Sequence, residues 1–213
     1  MHKGRRPFIV LDGGDGSGKT TLLQSVSDYY GEEVVFTREP GGSVYAEEIR
    51  NIILNSPNAK QADAKTMFAL FWAARADHLK NTIVPALNSG KIVICDRFDS
   101  STYAYQVVAQ GARNLADFFW QIRNFYLGDC LPSIYVYLDL DPKIGLLRKD
   151  SQKDGQKNHF DERKLDFHQK LRDGFHEFCS DKYKHSIKSV IINAENSKEK
   201  VFEDFKNAIS FLL

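Results

Sequence analysis

Long hydrophobic runs are missing from this chain. No stretch approaches the roughly 18 residues that a membrane-spanning helix needs, so the sequence does not read as an integral helical membrane protein. Cysteine is scarce: Cys95, Cys130 and Cys179 are odd in number, far apart and without metal-ligand spacing. Neither a disulfide framework nor a thiolate metal site is expected, and a reduced, cytoplasmic chain is the simplest reading. An excess of one charge is missing too. The 29 Lys and Arg stand against 28 Asp and Glu, which argues against a broad footprint for nucleic acid or an anionic membrane. A small basic site for one anionic ligand stays open. The basic start, Met1-His2-Lys3-Gly4-Arg5-Arg6, runs into a strand-like segment with no cleavage-type sequence, so no signal peptide is read. The six histidines are scattered without ligand spacing and read as structural or solvent-facing.

What is present is an ordinary globular composition, 42% hydrophobic and 27% charged over 213 residues. At roughly 150 residues per domain that length favours one domain, 1–213, with a real core. Short apolar runs at Phe8–Leu11, Val34–Phe36, Ile92–Cys95, Ile134–Leu138 and Val190–Ile192 read as five buried strands. Helical stretches separate them: Lys19–Tyr30, Tyr45–Leu54, Ala62 to about Leu79, a short helix near Pro85, Thr102–Val108, Leu115–Leu127, a helix from Pro142, a long helix to about Cys179, and Lys198–Leu213. Strands alternating with helices imply right-handed crossovers and an α/β fold, a doubly wound five-stranded parallel sheet covered on both faces.

The strongest local signal is Gly13-Gly14-Asp15-Gly16-Ser17-Gly18-Lys19-Thr20, which fits G-x-x-x-x-G-K-[ST] between a strand and a helix. Glycines there let backbone N–H groups curl around a phosphate chain, and the helix N-terminus adds partial positive charge. Lys19 would reach the outer phosphates of ATP, and the Thr20 hydroxyl would ligate Mg2+. Asp96 closes the strand Ile92–Cys95, where a second carboxylate near the metal belongs in such folds. Taken alone it could equally be a helix-capping Asp. Arg97 would share its crevice at the carboxyl ends of the strands.

These features mark a nucleoside-triphosphate protein without separating a kinase from a switch or regulator. No Asn-Lys-x-Asp guanine reader follows a strand. Instead there are arginines and aromatics suited to a second nucleotide: Arg38 just past the second strand, Phe71 and Arg75 four apart on one helix face, and Tyr105 and Gln106 about one helix beyond Asp96-Arg97.

Over nearly its whole length the chain resembles the thymidylate kinase family. The resemblance is carried by Thr37-Arg38-Glu39-Pro40-Gly41-Gly42, by Phe71 through Arg75, and by Asp96-Arg97-Phe98 in register with Ser101 and Ala104-Tyr105-Gln106. It implies that Arg38 and Arg97 hold the acceptor phosphate, a role suited to the fixed fork of a guanidinium. It also implies that Phe71 stacks on thymine and Arg75 donates to a base carbonyl. Stacking accepts any base, so base choice falls to Arg75 and its polar neighbours. Phe71 has a bland alternative as a core residue beside Phe68 and Trp72. Asp15 matches the acid on the sugar 3′-hydroxyl, Tyr105 the residue beneath the 2′ carbon, and Ser101 and Gln106 line the same pocket. A homodimer follows if the chain keeps to the family.

The segment at about 148–160 is a plain solvated loop by composition; the resemblance makes it a short lid over ATP. Glycine at position 16 fits the bacterial type, which takes its catalytic arginine from the lid. Arg148 is the best candidate, with Lys149 and Lys153 weaker. Two departures stand out: His159 where the family carries arginine, and Val107 where it carries glycine. The expected reaction is transfer of phosphate from ATP to dTMP. A kinase for another deoxynucleotide such as dUMP, and a regulatory ATPase, are the rival readings.

Overall fold

In the computed structural model, which describes residues 6–151, 160, 163–180 and 187–212, each short apolar run is a strand. β1 (Phe8–Gly13), β2 (Val34–Arg38), β3 (Ile92–Asp96), β4 (Ile134–Asp139) and β5 (Ser189–Asn193) form one parallel sheet ordered β2-β3-β1-β4-β5. The pleat sends alternate side chains to opposite faces. Phe8 and Val10 join Val93, Cys95 and Tyr135 on one face, while Ile9 and Leu11 join Ile94, Val136 and Leu138 on the other. The first face is covered by α3 (Ala64–His78), α6 (Ala116–Leu127) and α8 (Leu165–Ser180) through Phe68, Trp72, Phe119, Trp120 and Phe178. The second is covered by α1 (Lys19–Tyr30) and α9 (Lys198–Ile209) through Leu22, Val26, Val201 and Phe205. From β1 the chain visits one sheet edge, returns as β3 and crosses to the far side. The loops after β1 and β3 therefore open onto one crevice at the carboxyl ends of the strands, where open α/β sheets bind ligands. A third apolar cluster, Ala46, Ile49 and Ile53 of α2 (Val44–Asn55) with Met67 and Ala74 of α3, flanks it.

Two helices differ from the sequence reading. The stretch expected to end near Leu79 continues through a π turn (Leu79–Ile83) into α4 (Val84–Asn88). Pro85 lacks an N–H for the ladder, and the π turn shifts the register just ahead of it. The stretch Thr102–Val108 is α5 (Asp99–Thr102) passing into a π segment, Tyr103–Ala109. Before α7 (Pro142–Asp150), the Asp141 side chain accepts from the Lys143 N–H at 2.8 Å, an N-cap with proline in first position. Most of the expected lid, including Lys153 and His159, lies outside the described residues. Among the described residues no helix is long and apolar enough to cross a membrane. Cys95, Cys130 and Cys179 are buried and form no disulfide.

The helix α8 crosses the second π segment at Gly174, where a Cβ would lie 2.9 Å from Ala104 Cα and 2.9 Å from Val108 Cβ. Gly174→Ala should gain about 1 kcal/mol of helix propensity and lose about 1–3 kcal/mol to overpacking. A melting temperature lower by about 2–4 °C is expected in thermal unfolding; an increase would mean that the crossing is not close-packed.

Candidate active site

The loop after β1 turns sharply because Gly16 (φ 67°) and Gly18 (φ 87°) adopt the left-handed region that glycine enters freely. Lys19 folds back over it, donating to the carbonyls of Gly13 at 2.9 Å and Gly14 at 3.3 Å. Burial, with Arg97 adding, pulls the Lys19 ammonium down to about 8 against the opposing pull of Asp96, Asp15 and Asp12. Gly16 abuts Gly145 of α7 so closely that a Cβ on either would overlap the other segment's backbone. No side chain fits at position 16 as α7 stands. Asp96 ends β3 with its Oδ1 buried and without a hydrogen-bond partner, and Thr20 is exposed in the first turn of α1. These two fit a divalent ion. Among the described residues no group of three or more His, Cys, Asp or Glu gathers into a metal cage, but Mg2+ held largely by phosphates and water needs only one or two carboxylates.

Beside this loop, Arg97 has φ 67°, a left-handed conformation costing a side-chain-bearing residue about 1–3 kcal/mol. Its N–H donates to Leu11 O at 2.9 Å, and Cys95 Sγ donates to its carbonyl at 2.9 Å. The next turn is tied to β1 by Asp12, which accepts from the hydroxyls of Ser100 and, at 2.7 Å, Ser101. Burial raises the Asp12 carboxyl, opposed by those two hydroxyls and by Arg97 and Lys19. From behind, Asp99 accepts from Arg123 Nε at 2.6 Å and from the Tyr135 hydroxyl at 2.8 Å, fastening α5 to α6 and β4.

In front lies a cavity of about 240 Å3 lined by Asp15, Arg38, Phe71, Arg75, Arg97, Ser101, Tyr105 and Gln106. These are all eight residues named for the acceptor nucleotide. Phe71 is half-buried on the wall while Phe68 and Trp72 enter the core, so the residues α3 commits to packing are the other two aromatics. Arg38 is held by Glu47 at 3.0 and 3.1 Å, and Glu47 Oε1 also accepts from the Gly42 N–H at 2.9 Å. The Arg97 guanidinium lies 5.5 Å from the Tyr105 ring centre, and Phe160 meets that ring edge-on at 5.4 Å. Gln106 is fully buried with both ends of its amide unpartnered. Val107, in contrast, is fully buried in the core and is not a wall of the cavity.

Several residues in the site had no assigned role in the sequence reading. Glu39, Arg50 and Phe160 line the cavity, and Arg50 Nη1 donates to Pro40 O at 2.7 Å. Glu39 lies inside the Thr37–Gly42 motif, a signal that was available; its burial was not. On α7 the two basic residues separate. Lys149 lines the cavity and pairs with Asp15 at 3.2 Å. Arg148 faces away from it, donating to Ala194 O at 3.0 Å and Gly16 O at 3.4 Å. Burial alone would raise the Asp15 carboxyl, but Arg97, Lys149 and Lys19 together hold it below the ordinary range.

Chemically, the crevice can hold an anionic chain in the glycine loop and a second anion, carried on a planar ring, against Arg38, Arg50 and Arg97. The family model described as thymidylate kinase matches residues 11–205. The chain is similar to the thymidylate kinase of Clostridium novyi (strain NT), 41% identical over 209 residues, covering 97% of this chain and 98% of that one. It is 44% identical to that of Onion yellows phytoplasma (strain OY-M) over 199 residues, 92% of each. Its fold is similar to the crystal structure of thymidylate kinase from Ehrlichia chaffeensis, with a TM-score of 0.75, 28% identity and coverage of 96% and 99%.

A lysine at about 8 has a measurable consequence. A bound polyphosphate favours the charged ammonium, so affinity should hold steady from pH 7 to about 8 and then fall, approaching ten-fold per pH unit. Titration with a non-hydrolysable nucleoside triphosphate checks this; affinity flat to about pH 9.5 would contradict the depressed Lys19.

Proposed function

The chain belongs to the thymidylate kinase family, and from that premise we propose how its residues carry out the reaction. The enzyme phosphorylates dTMP to dTDP. The reading of the site rests on one observation, that an aromatic slot and a cluster of guanidiniums share a single cavity next to the glycine loop.

ATP is the proposed donor, its phosphates cradled by Gly13, Gly14, Asp15, Gly16, Ser17 and Gly18, with Lys19 reaching the outer groups. Thr20 and Asp96 are the proposed ligands of Mg2+, which when bound neutralises charge on the donor phosphates. On the acceptor side, Arg38 and Arg97 grip the dTMP phosphate. Phe71 stacks on the base, Arg75 and Gln106 address its polar edge, and Ser101 contributes to the wall. Asp15 takes the 3′-hydroxyl. Tyr105 is the proposed residue beneath the 2′ carbon, where it would clash with a 2′-hydroxyl and so exclude ribonucleotides. No general base is required. The nucleophile is a phosphate oxygen with a second pKa near 6, mostly ionised at pH 7, so the residues work by positioning and by neutralising charge.

The close approach of Gly16 to Gly145 supports taking the donor-side cation from the end of α7. Arg148 is the proposed bridging group, already bonded to the Gly16 carbonyl. We read residues 1–213 as one domain and the chain as a cytoplasmic homodimer. Supporting the dimer, Phe118, Phe125 and Tyr126 of α6 expose 48%, 80% and 37% of their surfaces, an apolar patch of the kind that marks an interface.

ADP formation from MgATP, alone and with dTMP, dUMP, dCMP, dGMP or the ribose analogue of dTMP, tests the reading. Strong stimulation by dTMP with rejection of the ribose form is expected. Hydrolysis that no acceptor stimulates would overturn it. Arg148→Ala should lower kcat more than about ten-fold with little change in KM for dTMP; a silent variant would remove Arg148 from the mechanism.

A further inference from the structure

His78, on α3 one turn past Arg75, is fully buried, yet it touches neither cavity nor solvent. Its Nδ1 lies 3.1 Å from Glu39 Oε1 and its Nε2 2.6 Å from Thr37 Oγ1. A carboxylate only accepts, so Nδ1 carries the proton toward Glu39. With the ring neutral, Nε2 accepts from the Thr37 hydroxyl. The other Glu39 oxygen, Oε2, receives Arg75 Nε at 2.9 Å and Nη2 at 2.7 Å. Nη2 also donates to Thr102 Oγ1 at 3.1 Å. Every donor nitrogen of the guanidinium but one is thereby committed. Nη1 is buried, without a partner, and belongs to the arginine that lines the cavity.

Gly42 completes the arrangement. Its φ is 85°, and a Cβ there would overlap both His78 Nε2 and Thr37 Oγ1. Three members of the Thr37–Gly42 motif that contact no substrate in the reading above therefore converge on one histidine. Glu39, Arg75 and His78 are almost fully buried and Thr37 partly so, so solvent substitutes poorly for the hydrogen bonds that Glu39 makes.

We propose that Thr37, His78 and Glu39 form a positioning relay that holds Arg75 with its Nη1 donor facing the acceptor base, making His78 a determinant of dTMP affinity. The proposal rests on the assignment of the cavity to dTMP and deepens it. His78 is a positioning residue, since it acts only through Glu39 and Arg75.

The test is the Kd for dTMP measured by equilibrium titration of the full chain, beside KM for ATP. His78→Gln puts its amide near the Nε2 position and strips Glu39 Oε1 of its N–H. It should weaken dTMP binding about ten-fold and leave KM for ATP within about two-fold, because ATP binding does not pass through Arg75. His78→Asn, whose amide stands near Nδ1, should recover most of the loss. Arg75→Lys keeps a cation beside Glu39 but removes the second arm. Adding His78→Gln to Arg75→Lys should then cost little more than Arg75→Lys alone, since the relay has nothing left to aim. Multiplying losses in the double variant, or a parallel rise in KM for ATP, would overturn the relay. Full dTMP affinity in His78→Gln with weak binding in Arg75→Lys would overturn the relay alone. Full affinity in Arg75→Lys would overturn the assignment of the cavity beneath it. Should His78→Gln fail to fold, Thr37→Val, which removes only the terminal hydroxyl, takes its place and should weaken dTMP binding in the same direction by a smaller factor; unchanged binding there also counts against the relay.

Discussion

Asp12 is a carboxylate that solvent barely reaches, and the geometry of the site hangs from it. It stands at the end of β1, immediately before the glycine loop, and its two oxygens accept from Ser100 and Ser101 of the turn that follows β3. Burying a carboxylate without partners would cost several kcal/mol. Here two hydroxyls and the charges of Lys19 and Arg97 offset part of that cost, and burial still holds the carboxyl above its ordinary range. The same contacts that stabilise the charge also join the phosphate-binding loop to the arginine of the acceptor pocket. Arg97 can then hold a strained backbone angle because Leu11 O accepts from its N–H and Cys95 Sγ donates to its carbonyl, while Asp12 anchors the turn that follows. The network of Asp99, Arg123 and Tyr135 repeats this solution one layer deeper.

Close packing of glycine against glycine imposes a second constraint. With Gly16 and Gly145 in contact, position 16 cannot carry a basic side chain, and Lys19 is joined by two further cations at the end of α7. Arg148 and Lys149 are adjacent in sequence but diverge, one toward the carbonyls of Gly16 and Ala194, the other toward Asp15. The two π segments play a related part. One follows Arg75 and His78, the other carries Tyr105 and Gln106. Such wide turns shift the helical register and so re-aim side chains, a frequent arrangement at functional sites.

The strands and the glycine loop were legible because their signals are local: a run of Val and Ile, or a motif between a strand and a helix. Arg38, Phe71, Arg75, Tyr105 and Gln106 were legible as types suited to a second nucleotide, while their roles, with Asp15 and Ser101, came from the family resemblance. That Phe68 and Trp72 pack in the core and Phe71 on the cavity wall became visible only with α3 set against the sheet. What stayed hidden depends on pairs far apart in the chain. Nothing near Glu39 announces that its charge is neutralised by Arg75, nor near His78 that Thr37 lies against it. Scattered histidines without ligand spacing look inert because a relay, unlike a metal site, needs no regular spacing. Arg148 was named through the family resemblance, and its two carbonyl partners, from segments 132 and 46 residues away, were not legible.

Single-turnover phosphoryl transfer by Asp12→Asn, with its thermal melt run alongside, tests most directly whether the site depends on this carboxylate. Asparagine keeps the shape but replaces one accepting oxygen by a donor, so one serine hydroxyl loses its acceptor and the charge facing Lys19 and Arg97 disappears. With hydrogen bonds to charged groups contributing about 1.5–3 kcal/mol each, the transfer rate should fall by about ten- to a hundred-fold in protein that still unfolds cooperatively. A folded Asp12→Asn enzyme that transfers phosphate at the native rate would show that the donor loop and the acceptor pocket do not depend on this carboxylate.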